Sequence, residues 1–230
     1  MNTRPLFTLD PRLKRCADMV RDGAKIVDVG TDHAYLPIWL VKSGVASSAI
    51  AADLREGPLD NAKINIEKYG VTERVKTILS NGLEKINPDE ADDIIIAGMG
   101  GELISNIIEN ATWLKNENKH LILQPMSCAE HLRRFLAKNN FKIVQETAVQ
   151  ADNHIYSVMS VKYHVGQILL NNLYPYIGLL GENIDQFSKI YIQKQVYHLE
   201  NKIKGLEISQ KHKELKELSQ IVNELNELIK

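Results

Sequence analysis

Val27-Asp28-Val29-Gly30-Thr31-Asp32-His33-Ala34-Tyr35-Leu36-Pro37 is an apolar strand that ends in a carboxylate, a glycine turn and a polar cluster. A nucleotide-like ligand needs that arrangement at the mouth of a parallel sheet. Gly30 lets the backbone approach the ligand with no Cβ in the way. Asp53, 23 residues after Gly30, closes the next apolar run, Ser48-Ala49-Ile50-Ala51-Ala52-Asp53. That separation is about one βαβ unit and places an acidic group where ribose hydroxyls are gripped.

Outward from this stretch, strands and helices alternate. Leu13, Cys16, Ala17 and Val20 recur at helical spacing, which predicts an opening helix over 10–21. Strands are predicted at 25–29, 49–53, 75–79, 93–97 and 120–123, with helices between them and Pro58 suited to a first helical turn. A last crossover helix is predicted from about Cys128 to Asn139. Segments 141–150 and 154–163 flank Ala151-Asp152-Asn153 and read as an antiparallel hairpin. Five parallel strands followed by a hairpin give an α/β, doubly wound, seven-stranded sheet. This layout resembles the Rossmann-like fold of class I methyltransferases.

The composition changes after about Val165, so residues 1–164 are expected to form one domain and 165–230 a helical tail. Ile192, Val196, Leu199, Ile203 and Leu206 form one heptad seam; Leu215, Leu218, Val222, Leu225 and Ile229 form another. Residues 205–213 are polar and are predicted to connect the two. The pair reads as a coiled-coil-like hairpin, which a monomer can form, although an intermolecular bundle has the same pattern.

The 230 residues, 44% hydrophobic and 25% charged, describe a soluble globular protein without a membrane-length apolar run or a signal-peptide core. Cys16 and Cys128 have no metal spacing and fit a reducing cytoplasm; no metal site is expected. Net charge is −1, but it is segregated. Residues 1–25 carry Arg4, Arg12, Lys14, Arg15, Arg21 and Lys25 against three aspartates, and residues 187–213 carry six lysines against two glutamates. Such segregation can form a basic face for phosphates, or simply solvated helix surface.

The methyl donor of the class I fold, S-adenosylmethionine, is a nucleoside carrying an amino acid and a sulfonium cation. On that expectation Asp28 orients the amino group, Gly30 gives close approach, and Asp53 accepts bonds from the ribose diol. Asn81 and Gly82, after the third strand, lie where this fold reads adenine. A nicotinamide dinucleotide fits poorly, because Thr31, Asp32 and His33 follow Gly30 where G-x-G-x-x-G needs glycine. The Walker pattern is absent. Gly98-Met99-Gly100-Gly101, after the fourth strand, leaves room for a flat acceptor beside the methyl group. The Asn/Asp-Pro-Pro-aromatic motif of exocyclic-amine methylation and the Pro-Cys pair of cytosine C5 methylation are both missing. The acceptor is therefore expected to be a ring nitrogen, oxygen or carbon with its own nucleophilicity.

Asp28 through Pro37, Ala97-Gly98-Met99-Gly100-Gly101 and Leu123-Gln124-Pro125 together resemble the TrmK family of bacterial tRNA (adenine(22)-N(1))-methyltransferases. The resemblance spans the chain, with one departure: Met126 stands where Asn is expected after Gln124-Pro125. It implies methyl transfer to N1 of adenine in tRNA. Asp32, His33, Tyr35, Gly98 and Met99 are expected at the reacting centre. Asp32 would stabilise charge developing on the ring, Tyr35 would stack on it, and His33 would bond to it or take the late proton. Asp32, His33 and Gly98 are expected to touch the donor as well. Arg4, Arg12, Lys14 and Arg15, with the tail lysines, are candidate phosphate contacts. Gly100, Gly101, Gln124 and Pro125 are placed on the acceptor side. A small-molecule methyltransferase, or a non-catalytic RNA-binding protein that retains the pocket, is the alternative.

Overall fold

A computed structural model describes residues 5–166, 168, 170–208 and 212–230. In chain order the elements are α1 (Pro11–Ala17), β1 (Lys25–Val29), α2 (Tyr35–Lys42), β2 (Ser48–Asp53), α3 (Glu56–Lys68), β3 (Val75–Leu79), β4 (Asp93–Gly100), α4 (Gly101–Asn110), β5 (His120–Ser127), α5 (Ala129–Lys138), β6 (Phe141–Ala151) and β7 (His154–Tyr163). The tail adds α6 (Tyr174–Ile177), α7 (Gln186–Ile208) and α8 (His212–Leu228). The strands form one seven-stranded sheet in the order β3-β2-β1-β4-β5-β7-β6. β1 to β5 pair in parallel, and β7 runs antiparallel to both β5 and β6.

The central strands are apolar on both faces, as crossover helices on both sides require. Ile94 and Ile96 point into one hydrophobic cluster and Ile95 into the other; Leu121, Leu123 and Ile122 do the same on β5. Each such side chain, fully buried, contributes about 1.5–3 kcal/mol. At the opposite end of the sheet from the glycine turns, Asp93 is buried and accepts from Arg21 N (2.8 Å), Arg21 Nε (2.6 Å) and His120 Nδ1 (3.1 Å). Burial alone would raise the Asp93 carboxyl, but the bonds from His120 and Arg21 outweigh it and hold the pKa below its ordinary value.

The opening helix is shorter than its periodicity predicts. Asp10 caps it by accepting from Arg12 N (2.9 Å) and Leu13 N (3.1 Å), and Pro11 supplies the first position. It stops at Ala17, and shortly afterwards Asp93 takes the Arg21 N–H that another helical turn would need. β4 and β5 run longer than predicted, carrying their pairing to Gly100 and Ser127 with irregular register after Ala97.

Every predicted heptad position, Ile192 through Leu206 and Leu215 through Ile229, lies in one hydrophobic cluster with Tyr176 and Ile177. Lys202 near the end of α7 reaches Glu214 near the start of α8 (3.1 Å), as an antiparallel hairpin demands. The predicted connection at 205–213 begins too early: α7 continues through Gly205 to Ile208. Leu206, buried in the cluster, helps to offset the roughly 1 kcal/mol that a helical glycine costs. Lys211 lies outside the described residues.

A buried ion pair joins tail and sheet. Arg133 of α5 donates from Nη2 to Glu146 Oε1 of β6 (2.7 Å) and to Tyr191 Oη of α7 (3.1 Å). Its Nη1 donates to the carbonyls of Pro175 (3.0 Å) and Tyr176 (2.9 Å). Glu146 Oε2 accepts from Leu179 N (3.0 Å). A Cβ at Gly178 would lie 1.8 Å from that oxygen, so the turn passes only as glycine.

Candidate active site

At the carboxyl edge of β1 and β4 lies a cleft of about 310 Å³, lined by Asp28, Gly30, Asp32, His33, Tyr35 and Gly98, among others, with Arg12 of α1 at its side. The β1–α2 turn forms one wall. Gly30 has φ +78°, and its N–H and that of Thr31 both donate to Ala52 O (2.8 and 3.0 Å). The turn is thereby fastened to β2. A Cβ at Gly30 would lie 2.1 Å from Met99 Cε, so the flexible end of Met99 fills the space against the Gly30 backbone. Met99, expected at the reacting centre, is thereby placed at the Gly30 turn.

Asp28 is buried at the end of β1. Burial pushes its carboxyl up to about 6; a hydrogen bond with Thr31 opposes the shift and the nearby Asp53 charge adds to it. Asp53 is likewise buried at the end of β2. Its Oδ1 accepts from Arg55 N (2.8 Å), a turn-capping bond. A carboxylate has two oxygens and about four acceptor sites, so capping uses only part of this capacity.

Beyond the glycine turn the side chains are open. Asp32 is 72% exposed and sits 3.2 Å from His33 Nε2. Tyr35 is 42% exposed, with its ring 5.4 Å from His33 and edge-on to Phe7 at 5.2 Å. Ala34, in a left-handed conformation at the start of α2, turns the chain between them. The His33 carbonyl is pinned by Asn65 Nδ2 (3.0 Å), which fixes the backbone and leaves the rings at the surface.

The second wall is the β4 turn, and Gln124 holds it. Its side chain is fully buried. Its Oε1 accepts from Gly98 N (3.0 Å) and from Arg12 Nη1 (2.8 Å), while its Nε2 donates to Pro125 O (3.0 Å). Gln124 therefore lies beneath the cleft, tying Gly98 to Arg12, and not among the residues that line it. Gly101 is spent on packing: a Cβ there would lie 2.2 Å from Cys128 O, so the β4 and β5 turns meet backbone to backbone, whereas half-buried Gly100 faces only the Ser127 hydroxyl. Pro125 is buried beside them.

Other expected residues lie apart. Asn81 bonds Glu84 (2.7 Å) and borders a separate cavity of about 230 Å³ against α4, while Gly82 abuts Ile107. Lys14 pairs with Asp18 and stands over the Trp39 ring; Arg15 donates to Thr147 Oγ1 of β6 (2.8 Å). Arg4 lies outside the described residues. Thr31, in the same motif, also belongs to the site, since its hydroxyl bonds Asp28; a hydroxyl three residues after a strand-end carboxylate is the sequence signal for it. Among the described residues no group of His, Cys, Asp and Glu could hold a metal ion, and no helix is long and apolar enough to cross a membrane.

Residues 9–159 match the family described as Methyltransferase domain. A curated relative, the tRNA (adenine(22)-N(1))-methyltransferase of Bacillus subtilis, is 39% identical over 151 residues, which span 66% of this chain and 63% of that enzyme's length. The crystal structure of the B. subtilis m1A22 tRNA methyltransferase TrmK superposes with a TM-score of 0.86 at 31% identity, covering 98% of this chain and 100% of that one. A Streptococcus pneumoniae protein solved in complex with S-adenosyl-L-methionine superposes with a TM-score of 0.82 at 34% identity, covering 95% and 98%.

Proposed function

The chain belongs to the TrmK family of tRNA methyltransferases, and from that premise we propose that it methylates N1 of adenine 22 in tRNA with S-adenosylmethionine as donor. The observation that carries this reading is the pairing of two buried carboxylates, Asp28 and Asp53, across the Gly30 turn. That donor set suits a ligand with an ammonium group, a ribose diol and a sulfonium, and at Gly30 only the flexible end of Met99 stands against the bare backbone. When bound, S-adenosylmethionine supplies an electrophilic methyl group.

Asp53 accepts the ribose hydroxyls, and Asp28, with Thr31 beside it, faces the ammonium end. The N1 lone pair of neutral adenine needs no prior deprotonation, so the chain's task is alignment and charge. Alignment alone supplies up to about 7–11 kcal/mol in favourable cases. Asp32 stabilises the positive charge that grows on the ring, and Tyr35 offers a face for stacking. His33, beside Asp32, accepts the proton that the methylated ring later sheds. N1 lies on the pairing edge, so the nucleotide leaves its stack to reach the cleft, at a cost of a few kcal/mol offset by contacts there. Arg12, on the lip of the cleft, is the basic residue of α1 best placed for a phosphate. Asn81 and Gly82 remain the proposed adenine-side contacts of the donor. In this reading residues 1–164 hold the donor and residues 165–230 form an extension for the RNA.

Mass spectrometry of tRNA nucleosides after incubation with labelled donor tests the proposal. 1-Methyladenosine at position 22, absent when that base is replaced, is the expected result; a label found only on metabolites or on another nucleoside would overturn it.

A further inference from the structure

A second concavity, of about 360 Å³, lies between the β5–α5 turn, the start of β7 and α7. We propose that this groove binds the phosphodiester of a nucleotide flanking the target adenine, an inference that rests on the tRNA reading above. Continuity with the donor cleft is the first argument. Gln124 bonds Gly98 and Arg12 in that cleft, Pro125 pairs with Met99, and Met126 and Cys128 then border the groove. From Gln124 to Cys128 is roughly 13 Å of extended chain, which a short stretch of RNA covers. A strand whose base is extruded into the cleft has to leave over this edge or over its opposite.

Charge and shape favour this side. Lys194 and His198 lie four residues apart on α7 and so present one face of the helix to the groove. The acid that borders it, Glu130, is engaged by Arg134 at 3.0 Å. Tyr156, half-buried on the opposite wall, offers an aromatic surface to a base or sugar. The wall is held in place, because Tyr191, which also lines the groove, is bonded to the buried Arg133. A lysine and a histidine above an aromatic floor match a sugar-phosphate better than they match an acidic or apolar peptide.

The chain carries its own probe. Of the two cysteines, Cys128 is exposed on the groove, whereas Cys16 is buried and its thiol is pushed up to about 12 by burial. A short thiol-directed photo-crosslinker therefore attaches at Cys128. Irradiation with tRNA is expected to give crosslinks at nucleotides adjacent to adenine 22. Lys194→Glu is expected to raise KM for tRNA about tenfold and to lower the salt slope of binding by about one, with donor affinity unchanged. Lys115→Glu, exposed between α4 and β5 at the opposite end of the sheet from the cleft, should leave KM within about twofold of the parent. Crosslinks confined to a distant arm of the tRNA, or equal losses in the two lysine variants, would overturn the groove. If the parent protein methylates tRNA and Lys194→Glu does so equally well, the groove fails alone. If the parent yields no 1-methyladenosine, the tRNA reading fails with it.

Discussion

The donor cleft and the junction between sheet and tail use the same chemistry in opposite ways. At the junction Arg133 and Glu146 are fully buried, and carbonyls, a tyrosine hydroxyl and a backbone N–H take up their remaining capacity. At the cleft, Asp28 and Asp53 are buried with no buried cation beside them among the described residues: Asp53 meets only the solvent-exposed Arg55 guanidinium at 3.6 Å, while Asp32, His33 and Tyr35 stand open. The junction is closed by a buried counter-charge; at the cleft the chain supplies only a solvent-facing one, at Asp53. A buried charge cluster signals a ligand where the chain does not bury the counter-charge with it.

The sharpest way to break this contrast is at the junction. Arg133→Met leaves Glu146 buried without its cation and should cost about 3–5 kcal/mol of stability in denaturant unfolding. Adding Glu146→Leu should recover much of that loss, since a matched apolar pair is often tolerated. A single variant as stable as the parent would mean that the pair is not the fastener described. At the cleft the order of effects reverses. Asp53→Asn should weaken donor binding by about 1.5–3 kcal/mol, roughly ten- to a hundredfold by calorimetry, with little change in the unfolding midpoint.

The pH dependence sharpens the contrast further. Asp28 titrates near 6 in the folded protein against an ordinary value of 3.8. The folded state therefore binds the extra proton between about pH 4 and 6, so this group adds stability as pH falls through that window. Donor affinity should move the other way, declining below about pH 6 as the carboxylate is lost, and Asp28→Asn should flatten the profile. Asp93, held below its ordinary value, contributes stability that is present above the usual carboxylate range and lost as pH falls through its lowered pKa. The smallest effect belongs to the surface: Lys14→Ala, which removes an exposed pair with Asp18, should change stability by no more than about 0.5 kcal/mol.

The order of strands, the hairpin and both heptad seams could be read from the sequence, because each rests on local periodicity. The cleft was half readable. Asp28, Gly30, Asp32, His33 and Tyr35 fall within one turn of chain, and short sequence distance guarantees their proximity. Arg12, Lys14 and Arg15 read alike, yet a helix turns about 100° per residue, and only Arg12 faces the cleft. Gln124 read as a substrate contact, because nothing local reveals that its amide serves Gly98 and Arg12. Arg133 and Glu146 carried no signal at all: their meeting depends on how α5 crosses β6 and where the tail docks.

The position of the donor is the most direct test of the cleft. Crystals of the protein soaked with S-adenosylhomocysteine should show the ribose at Asp53 and the amino-acid end along Gly30 and Asp28. Density for the ligand in the groove beside Lys194, or in the cavity beside Asn81 with the Gly30 turn untouched, would contradict it.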